Sequence, residues 1–299
     1  MRDIVIKQIS DYANFSKDLV LVTADLGFGI FDDFRRHHSD QFINVGIAEQ
    51  NMIGVSVGLA ISGKKVFCYS IGNFPTLRCL EQIRNDAAYH DSNLCIIASG
   101  GGFNYGQLGM SHHATEDLGI IRCLPGLTVL SPGSEHEASE CISYLLENNI
   151  GVSYLRLEKL AQKKNFPNEQ NFKFGFINLI SEGKDLTLIS TGGVLDNAFV
   201  ATMELKKNNI NVELLSVHCI KPLDQDMIIR SASKTGNVLV VEEHNKIGGL
   251  GSAVMEALYK ARVFVNFSHL AIQDQYMSIV GDQSYLRRAC GLDVESIYY

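Results

Sequence analysis

Short apolar runs rich in β-branched residues alternate with helix-length segments along most of this 299-residue chain. Because successive residues in each run are apolar, both faces of each strand are expected to be buried, as in a parallel sheet covered by helices on both sides. The pattern therefore predicts an α/β fold with doubly wound sheets. The first series of strands is predicted at 19–25, 65–70, 93–99, 127–132 and 152–157, and the second at 185–192, 211–220 and 237–245.

The composition of the sequence changes between the two series of strands. The stretch "AQKKNFPNEQNFKFG" (161–175) is polar, rich in Asn and interrupted by a Pro, which is typical of a linker. The length of the chain suits two domains of common size. We therefore expect one domain over residues 1–165, a linker over 166–180 and a second domain over 181–299.

Composition excludes several classes of function. The net charge is -7 and no block of Lys or Arg is present, which argues against a nucleic-acid partner. The seven cysteines are scattered and never in C-x-x-C spacing, so we expect reduced thiols and no metal site on this chain. The start "MRDIVIKQIS" does not resemble a signal peptide, and no apolar run approaches the roughly 20 residues that span a bilayer. We expect a cytoplasmic protein without membrane contact.

One acidic residue, Glu49, lies in the otherwise small and apolar stretch "FINVGIAEQNMIGVSVGLA" (42–60). The first four residues indicate a short strand, and the apolar residues after Glu49 follow helical spacing. Gly54 and Gly58 indicate close approach by another element, since a glycine inside a helix costs about 1 kcal/mol relative to alanine. Glu49 is either a solvated residue at the start of a helix or a buried carboxyl with a function.

Four segments resemble the C-terminal half of a transketolase: "FINVGIAEQNMIG", "GMSHHATEDLGIIRCLPGLTVLSP", "HCIKPLD" and "EEHNKIGGLGSAV". Their order and spacing are similar to those of a pyrimidine-binding domain followed by the transketolase C-terminal domain, over almost the whole chain. The Gly-Asp-Gly signature and downstream Asn of the family's diphosphate domain have no counterpart in this sequence. The resemblance implies the second subunit of a split transketolase, whose N-terminal half would be a separate polypeptide.

The resemblance implies a thiamine diphosphate site shared with that partner subunit, which would hold most of the Mg²⁺ or Ca²⁺ coordination. Glu49 then corresponds to the glutamate that hydrogen-bonds the aminopyrimidine ring nitrogen and favours the imino tautomer, whose exocyclic nitrogen deprotonates the thiazolium carbon. Burial among Ile47, Ala48 and Met52 disfavours a charged carboxylate. We therefore expect Glu49 to share a proton with the cofactor.

Aromatic and acidic residues near the ends of predicted strands are further candidates for the cofactor. Phe74 in "YSIGNFPTLR" is the first choice for stacking on the pyrimidine, and Tyr69 is the second. Ordinary core packing is the alternative for both rings. Asp25, at the end of the first strand, is similar to a family residue near the thiazolium ring, and parallel sheets place ligand contacts at such ends. A turn-forming role is the alternative for Asp25.

Substrate contacts are implied for two histidines and two arginines. His112 in "GMSHHATED" corresponds to a family residue that contacts substrate hydroxyls and can shuttle protons near neutral pH. His113 is a weaker candidate because adjacent side chains diverge. Arg156 corresponds to an arginine that grips a sugar phosphate, a role that suits the guanidinium fork. Arg2 is a second candidate for that role.

Two positions depart from the family pattern. Leu108 replaces an acidic residue that recognises a sugar hydroxyl, and Gly100 falls where the family has a phosphate-contacting histidine. Losing both groups should change the preferred sugars. The segment "GGLGSA" (248–253) resembles a nucleotide loop, but a lone glycine motif is a weak signal, and in this family it is a structural turn.

The leading hypothesis is a subunit of a transketolase, which moves a two-carbon ketol unit from a ketose to an aldose. The sugars are expected to be small sugar phosphates. The alternatives are chemistry like that of 1-deoxyxylulose 5-phosphate synthase, a β subunit of a 2-oxo acid dehydrogenase, and a non-catalytic scaffold. We expect two copies of this chain to meet through the Gly54 and Gly58 face, flanked by two partner chains in a heterotetramer.

Overall fold

The first domain is built on a parallel sheet with helices on both faces, as seen in a computed structural model that describes residues 1–158, 166–168 and 171–299. Its six parallel strands are β1 (Leu19–Thr23), β2 (Phe42–Asn44), β3 (Lys65–Ile71), β4 (Leu94–Ser99), β5 (Thr128–Leu130) and β6 (Ser153–Leu157). They lie in the order β5-β6-β4-β3-β1-β2. The switch of direction at the middle of the sheet is what makes the domain doubly wound.

The helices of this domain bury opposite faces of the sheet. Along β3, Phe67 and Tyr69 belong to the core that includes residues of α1 and α7, while Val66 and Cys68 belong to the core that includes residues of α3. This alternation follows from the two-residue period of a strand. The helices are α1 (Arg2–Ala13), α2 (Asp32–His37), α3 (Glu49–Ile61), α4 (Phe74–Leu77), α5 (Leu80–Gln82), α6 (Asp117–Arg122) and α7 (Glu135–Glu147).

The second domain has its own sheet of five strands. Its strands are β7 (Asn178–Ser181), β8 (Leu186–Thr191), β9 (Val212–Ser216), β11 (Asn237–Asn245) and β12 (Asn266–Ile272), in the order β12-β11-β8-β9-β7 with only β7 antiparallel. Strand β10 (Cys219–Lys221) leaves this domain and pairs antiparallel with β5 of the first sheet. The helices are α8 (Leu195–Lys207), α9 (Gln225–Thr235), α10 (Leu250–Lys260), α11 (Gln283–Ala289) and α12 (Val294–Tyr298).

The predicted fold class is confirmed, and two local features differ from the prediction. The strand predicted over 211–220 is two strands, because the chain turns after Ser216 and adds β10 to the other sheet. Strand β7 begins at Asn178, inside the predicted linker. Residues 159–165, just before the predicted linker, and residues 169–170, inside it, lie outside the described residues.

The linker residues that the structure describes pack on the first domain as well as the second. Phe174 stacks on Tyr144 of α7 with ring centroids 3.8 Å apart, and Phe166 contacts Phe199 of α8 at 5.2 Å. Together with β10, these contacts join the two domains into one packed unit. Among the described residues, no helix has both the length and the apolar character needed to cross a membrane.

Candidate active site

Glu49 is buried at the carboxyl edge of the first sheet, where it is the first residue of α3. Its side chain is 4% exposed, and Oε2 accepts a hydrogen bond of 2.9 Å from Nη1 of Arg78. Arg78 follows α4, and its side chain is 51% exposed. The sequence did not indicate this partner. Contrary to the prediction that Ile47 helps to bury Glu49, Ile47 is 80% exposed.

Arg78, Phe74 and His112 form a continuous row beside Glu49. The guanidinium of Arg78 lies over the Phe74 ring, with its Cζ 4.2 Å from the ring centroid. The same ring lies against His112, with centroids 5.2 Å apart and planes tilted by 63°. Three of the predicted site residues, Glu49, Phe74 and His112, are therefore brought together through a fourth residue that was not predicted.

His112 lies in the loop between β4 and α6 and ends a short 3-10 turn, Met110–His112. Its Nδ1 is 3.0 Å from Oγ of Ser111. Asn73 donates a hydrogen bond of 2.5 Å to the Ser111 carbonyl, which ties this loop to the start of α4. The half-buried imidazole is thus held beside Phe74.

The structure places His113 apart from this row. Its side chain is buried, its ring packs edge-on against Phe103 at 5.1 Å, and Nε2 lies 3.5 Å from the Gly106 carbonyl. Burial lowers the pKa of His113, which favours the neutral ring. His113 therefore packs inside the loop, and its buried position does not fit the predicted contact with substrate.

Asp25 lies on the same edge, at the end of β1, in a left-handed conformation with φ of +57°. It exchanges two hydrogen bonds of 3.0 Å with Asn44: Asn44 Nδ2 donates to Asp25 Oδ1, and the Asp25 amide donates to Asn44 Oδ1. The Oδ1 atom of Asn44 also accepts from the Gly46 amide at 3.0 Å. Asn44 therefore fixes both Asp25 and the turn that leads to Glu49.

Tyr69 and Arg2 lie on the opposite face of the sheet from Glu49. Tyr69 is buried and packs edge-on against Phe31 at 5.0 Å, and burial raises the pKa of its phenol to about 12. Arg2 begins α1, close to Tyr69, and its Nε donates to Asp3 at 2.9 Å. Tyr69 therefore cannot stack on a ring held by Glu49. Arg2 as a sugar-phosphate contact stays a prediction.

Arg156 does not fit the predicted role of gripping a sugar phosphate. Its side chain is 2% exposed, and its Nε forms an ion pair of 3.1 Å with Asp117. Its Nη2 donates to the backbone carbonyls of Ala114 at 2.9 Å and Glu243 at 3.0 Å. A guanidinium with these internal partners, one of them in the second domain, is structural. The sequence could not show this, because burial of an arginine depends on contacts distant along the chain.

The two departures from the family pattern lie in the loop that carries His112. Leu108 is 56% exposed. A Cβ on Gly100 would lie within 3.0 Å of the Tyr105 ring, and the φ of Gly100 is +88°. The ring of Tyr105 therefore fills the space that a side chain at position 100 would need.

The segment 248–253 is closed by a side chain of its own domain. Glu242 on β11 is buried, and its carboxylate accepts from the amides of Leu250 at 2.7 Å and Gly251 at 2.8 Å and lies 2.8 Å from Nε2 of His269. Burial opposes ionisation, but the His269 contact and the Gly251 amide hold the pKa of Glu242 below its usual value. The Glu242 carboxylate therefore occupies the anion position at the start of α10, which supports the interpretation of this segment as a structural turn.

The geometry of the row fits the pyrimidine end of thiamine diphosphate. A buried carboxyl, a partly exposed aromatic ring and an imidazole share one edge of a parallel sheet, where ligands bind in this class of fold. Sequence reasoning missed two residues of this edge, Arg78 and Asn44. The polar side chain of Asn44 in an otherwise apolar strand was an available signal. For Arg78 there was none beyond its nearness to Phe74.

Residues 1–164 match the family profile described as the transketolase pyrimidine-binding domain, and residues 175–297 match the transketolase C-terminal domain. The chain belongs to the transketolase family. It comprises these two domains in the order that the sequence predicted. Membership implies dependence on thiamine diphosphate.

The relatives include both split and single-chain proteins. The chain is 35% identical over 289 residues to a subunit of the apulose-4-phosphate transketolase of Phocaeicola vulgatus, covering 96% of this chain and 91% of that protein. It is 35% identical over 268 residues to human transketolase, covering 88% of this chain but 42% of that protein. A solved structure described as a split gene transketolase, inactive beta4 tetramer, superposes with a TM-score of 0.88 at 30% identity, covering 99% and 95% of the two chains.

Proposed function

We propose that this chain forms a two-chain transketolase with an N-terminal-half subunit and supplies the pyrimidine side of each thiamine diphosphate site. The observation that carries this proposal is the row of Glu49, Arg78, Phe74 and His112 at the carboxyl edge of the first sheet. When bound, the cofactor supplies the electron sink for moving a two-carbon ketol unit from a ketose to an aldose. The partner would hold the diphosphate and most of the Mg²⁺ or Ca²⁺ ligands.

In this proposal the Glu49 carboxyl holds a proton at the pyrimidine nitrogen. Its burial strengthens that hydrogen bond, because few water molecules compete for the carboxyl oxygens. Phe74 offers the flat apolar surface against which the pyrimidine stacks. Arg78 now covers that ring, so it must swing away when the pyrimidine stacks on this face. Its half-exposed side chain can do so without opening the core.

His112 and Asp25 take the remaining roles in this proposal. His112 contacts substrate hydroxyls and passes protons to and from them. Asp25, held by Asn44, would contact the thiazolium end of the cofactor. The substrates are proposed to be sugar phosphates. Relatives are named for different sugars, apulose 4-phosphate in one case and 6-deoxy-6-sulfo-D-fructose in a subunit from a Clostridium species, so the sugar differs among such subunits. The exposed Leu108 supports an unusual preference in this chain.

Reconstitution tests the proposed function. The chain alone should show no ketol transfer and weak thiamine diphosphate binding, whereas mixing it with its N-terminal-half subunit should restore both. The measurement is turnover of a panel of phosphorylated ketoses and aldoses, with cofactor affinity from a titration by circular dichroism. Turnover by the isolated chain at the rate of the mixture would contradict the proposal, as would a mixture that binds cofactor and transfers no ketol unit from any sugar.

Self-association through α3 is the second part of the proposed assembly. Apart from their chain neighbours and the backbone of their own helix, no described heavy atom lies within 4 Å of the Cβ positions that Gly54 and Gly58 would have. Ile61 on the same stripe is 62% exposed, and Ile47, just before the helix, is 80% exposed. A helix face that combines bare glycines with exposed apolar residues favours contact with a second copy.

The change Gly58→Leu tests this surface. The monomer has room for the leucine, so the variant should fold normally. In an assembly the added side chain should cost about 1–3 kcal/mol in each copy and lower cofactor affinity. Sedimentation velocity would compare it with the control Lys206→Leu on the exposed side of α8. A Gly58→Leu protein that assembles like wild type would rule out this interface.

A further inference from the structure

The glycine-rich segment between β4 and His112, residues 100–109, is a contact surface for buried side chains. A Cβ on Gly101 would lie within 3.0 Å of the Arg156 guanidinium, and one on Gly102 would lie within 3.0 Å of the Glu243 carboxylate. Because these glycines have no side chain, the two charged groups can lie directly against the backbone. The glycines are therefore explained by the close approach of the Arg156 and Glu243 side chains, and no phosphate-binding role is needed.

The base of the loop is closed and then gripped from the second domain. Gly102 and Ala114 exchange two backbone hydrogen bonds of 2.9 and 3.0 Å, so the loop between them is a closed unit that contains His112. Oε1 of Glu243, on β11, accepts a hydrogen bond of 2.5 Å from the Phe103 amide. One carboxylate of the second domain thus fixes the backbone next to the closure.

Arg156 links Ala114, on the other strand of the loop base, to Glu243. Its Nη2 donates to the Ala114 carbonyl on one side and to the Glu243 carbonyl on the other. Both backbone segments at the loop base therefore depend on Glu243, one through its side chain and one through its carbonyl. His112 is two residues before Ala114, which leaves little backbone between the anchor and the imidazole.

Glu243 is itself held rigidly. Its side chain is 2% exposed. Nε2 of Gln283 lies 3.0 and 3.1 Å from its two carboxylate oxygens, and Nε of Arg287 donates to Oε2 at 2.5 Å. Both donors belong to α11. A buried carboxylate with several charge-assisted or amide donors has one strongly preferred position.

We propose that Glu243 is a positioning residue for the loop that carries His112, so that the second domain sets the geometry of the site on the first. It acts through the Phe103 amide and the closed loop base and does not touch the cofactor or substrate. Its effect on turnover rests on the proposed function; its effect on the loop does not. Displacing a catalytic group by about 1 Å can lower turnover by about two orders of magnitude, so a modest loosening of this anchor should be measurable.

The adjacent residue gives a matched control. Glu242 is the same amino acid, is equally buried and also binds backbone amides, but those amides belong to α10 of its own domain. The change Glu243→Gln should raise amide hydrogen exchange in residues 101–114 by at least about tenfold. In the assembled enzyme it should lower kcat by about tenfold while cofactor affinity stays within about twofold. The change Glu242→Gln should raise exchange around residues 249–254 and leave the loop and kcat unchanged.

The outcomes separate the two proposals. Unchanged exchange in the loop of Glu243→Gln, or equal loosening of the loop in both variants, would overturn the positioning role. Should Glu243→Gln fail to fold, Gly102→Ala provides the second test, because its Cβ displaces the Glu243 carboxylate and should loosen the same loop. If the wild-type assembly transfers no ketol unit, the proposed function fails, and hydrogen exchange still decides whether Glu243 anchors the loop.

Discussion

The carboxyl edges of the two sheets both carry buried glutamates, but the groups around those glutamates differ. At the first sheet, the buried Glu49 and the half-buried His112 lie beside a partly exposed ring, Phe74, and a half-exposed cation, Arg78. At the second sheet, the adjacent residues Glu242 and Glu243 of β11 are buried, and each accepts hydrogen bonds from the backbone of a glycine-rich segment. The first edge keeps partly exposed groups, whereas the second is filled by side chains of the protein itself.

This difference shows why a glycine-rich turn after a strand is weak evidence for ligand binding. Both segments, 100–109 and 248–253, follow strands and contain several glycines. In each, the space beside one glycine, Gly102 or Gly249, is occupied by a glutamate from β11. Since alternate residues of a strand point to opposite sides, two successive glutamates can close two separate turns.

The largest effect is expected for Glu49→Gln. The amide is nearly isosteric but cannot share an acidic proton with the pyrimidine nitrogen. Turnover of the assembled enzyme should fall by about two to four orders of magnitude, the range typical of acid–base groups, with fold and assembly retained. Steady-state kinetics with sedimentation as the control would check this. Near-normal turnover would assign Glu49 a structural role.

At the second edge, Glu242→Gln should affect stability and leave turnover unchanged. The loss of a buried charged acceptor for two amides and His269 should cost about 1–3 kcal/mol. Because the pKa of Glu242 is lowered by its partners, its stabilising effect is present above its unfolded pKa and is lost as the pH falls through the folded value. Urea unfolding at several pH values should show wild type and variant converging in acid. A difference that grows in acid would contradict this account.

A smaller effect is expected for Phe74→Ala. Loss of the stacking surface should weaken thiamine diphosphate binding by about 0.5–1.5 kcal/mol beyond the loss of buried area. Tyr69→Phe, on the other face of the sheet, is the control and should leave cofactor affinity unchanged. Titration of both assembled variants would measure this. Equal weakening in the two variants would show that the assignment of the faces is wrong.

The smallest effect is expected for Glu158→Gln. Glu158 directly follows β6, is buried, and accepts a hydrogen bond of 3.1 Å at Oε2 from Nε2 of Gln283 on α11 of the second domain. Burial and the nearby Glu243 raise the pKa of Glu158. A carboxyl with a raised folded pKa stabilises the fold below its unfolded pKa, and that contribution is lost as the pH rises through the folded value. The variant should therefore melt higher than wild type near neutral pH, by about 1–3 °C, with the difference shrinking in acid. A variant that melts lower at neutral pH would show that the charged form of Glu158 is needed.

Sequence patterns predicted the helices and strands that depend on residues close together along the chain. The parallel strands and the start of α3 at Glu49 follow from apolar runs, helical spacing and the resemblance. Strand β10 was not separated from β9, because the choice of sheet depends on an edge of β5 far along the chain. The same reason explains Arg156, which had a plausible residue type for phosphate binding and was placed by long-range contacts in the core.

Hydrogen–deuterium exchange at the thiazolium C2 position of bound thiamine diphosphate tests whether Glu49 on this chain activates a cofactor bound largely by the partner chain. The chain assembled with its N-terminal-half subunit should exchange this hydrogen much faster than the free cofactor. Assembly with Glu49→Gln should bring the rate back near that of free cofactor, and assembly with Glu242→Gln should leave it at the wild-type value. Exchange that is equally fast with Glu49→Gln would contradict the account.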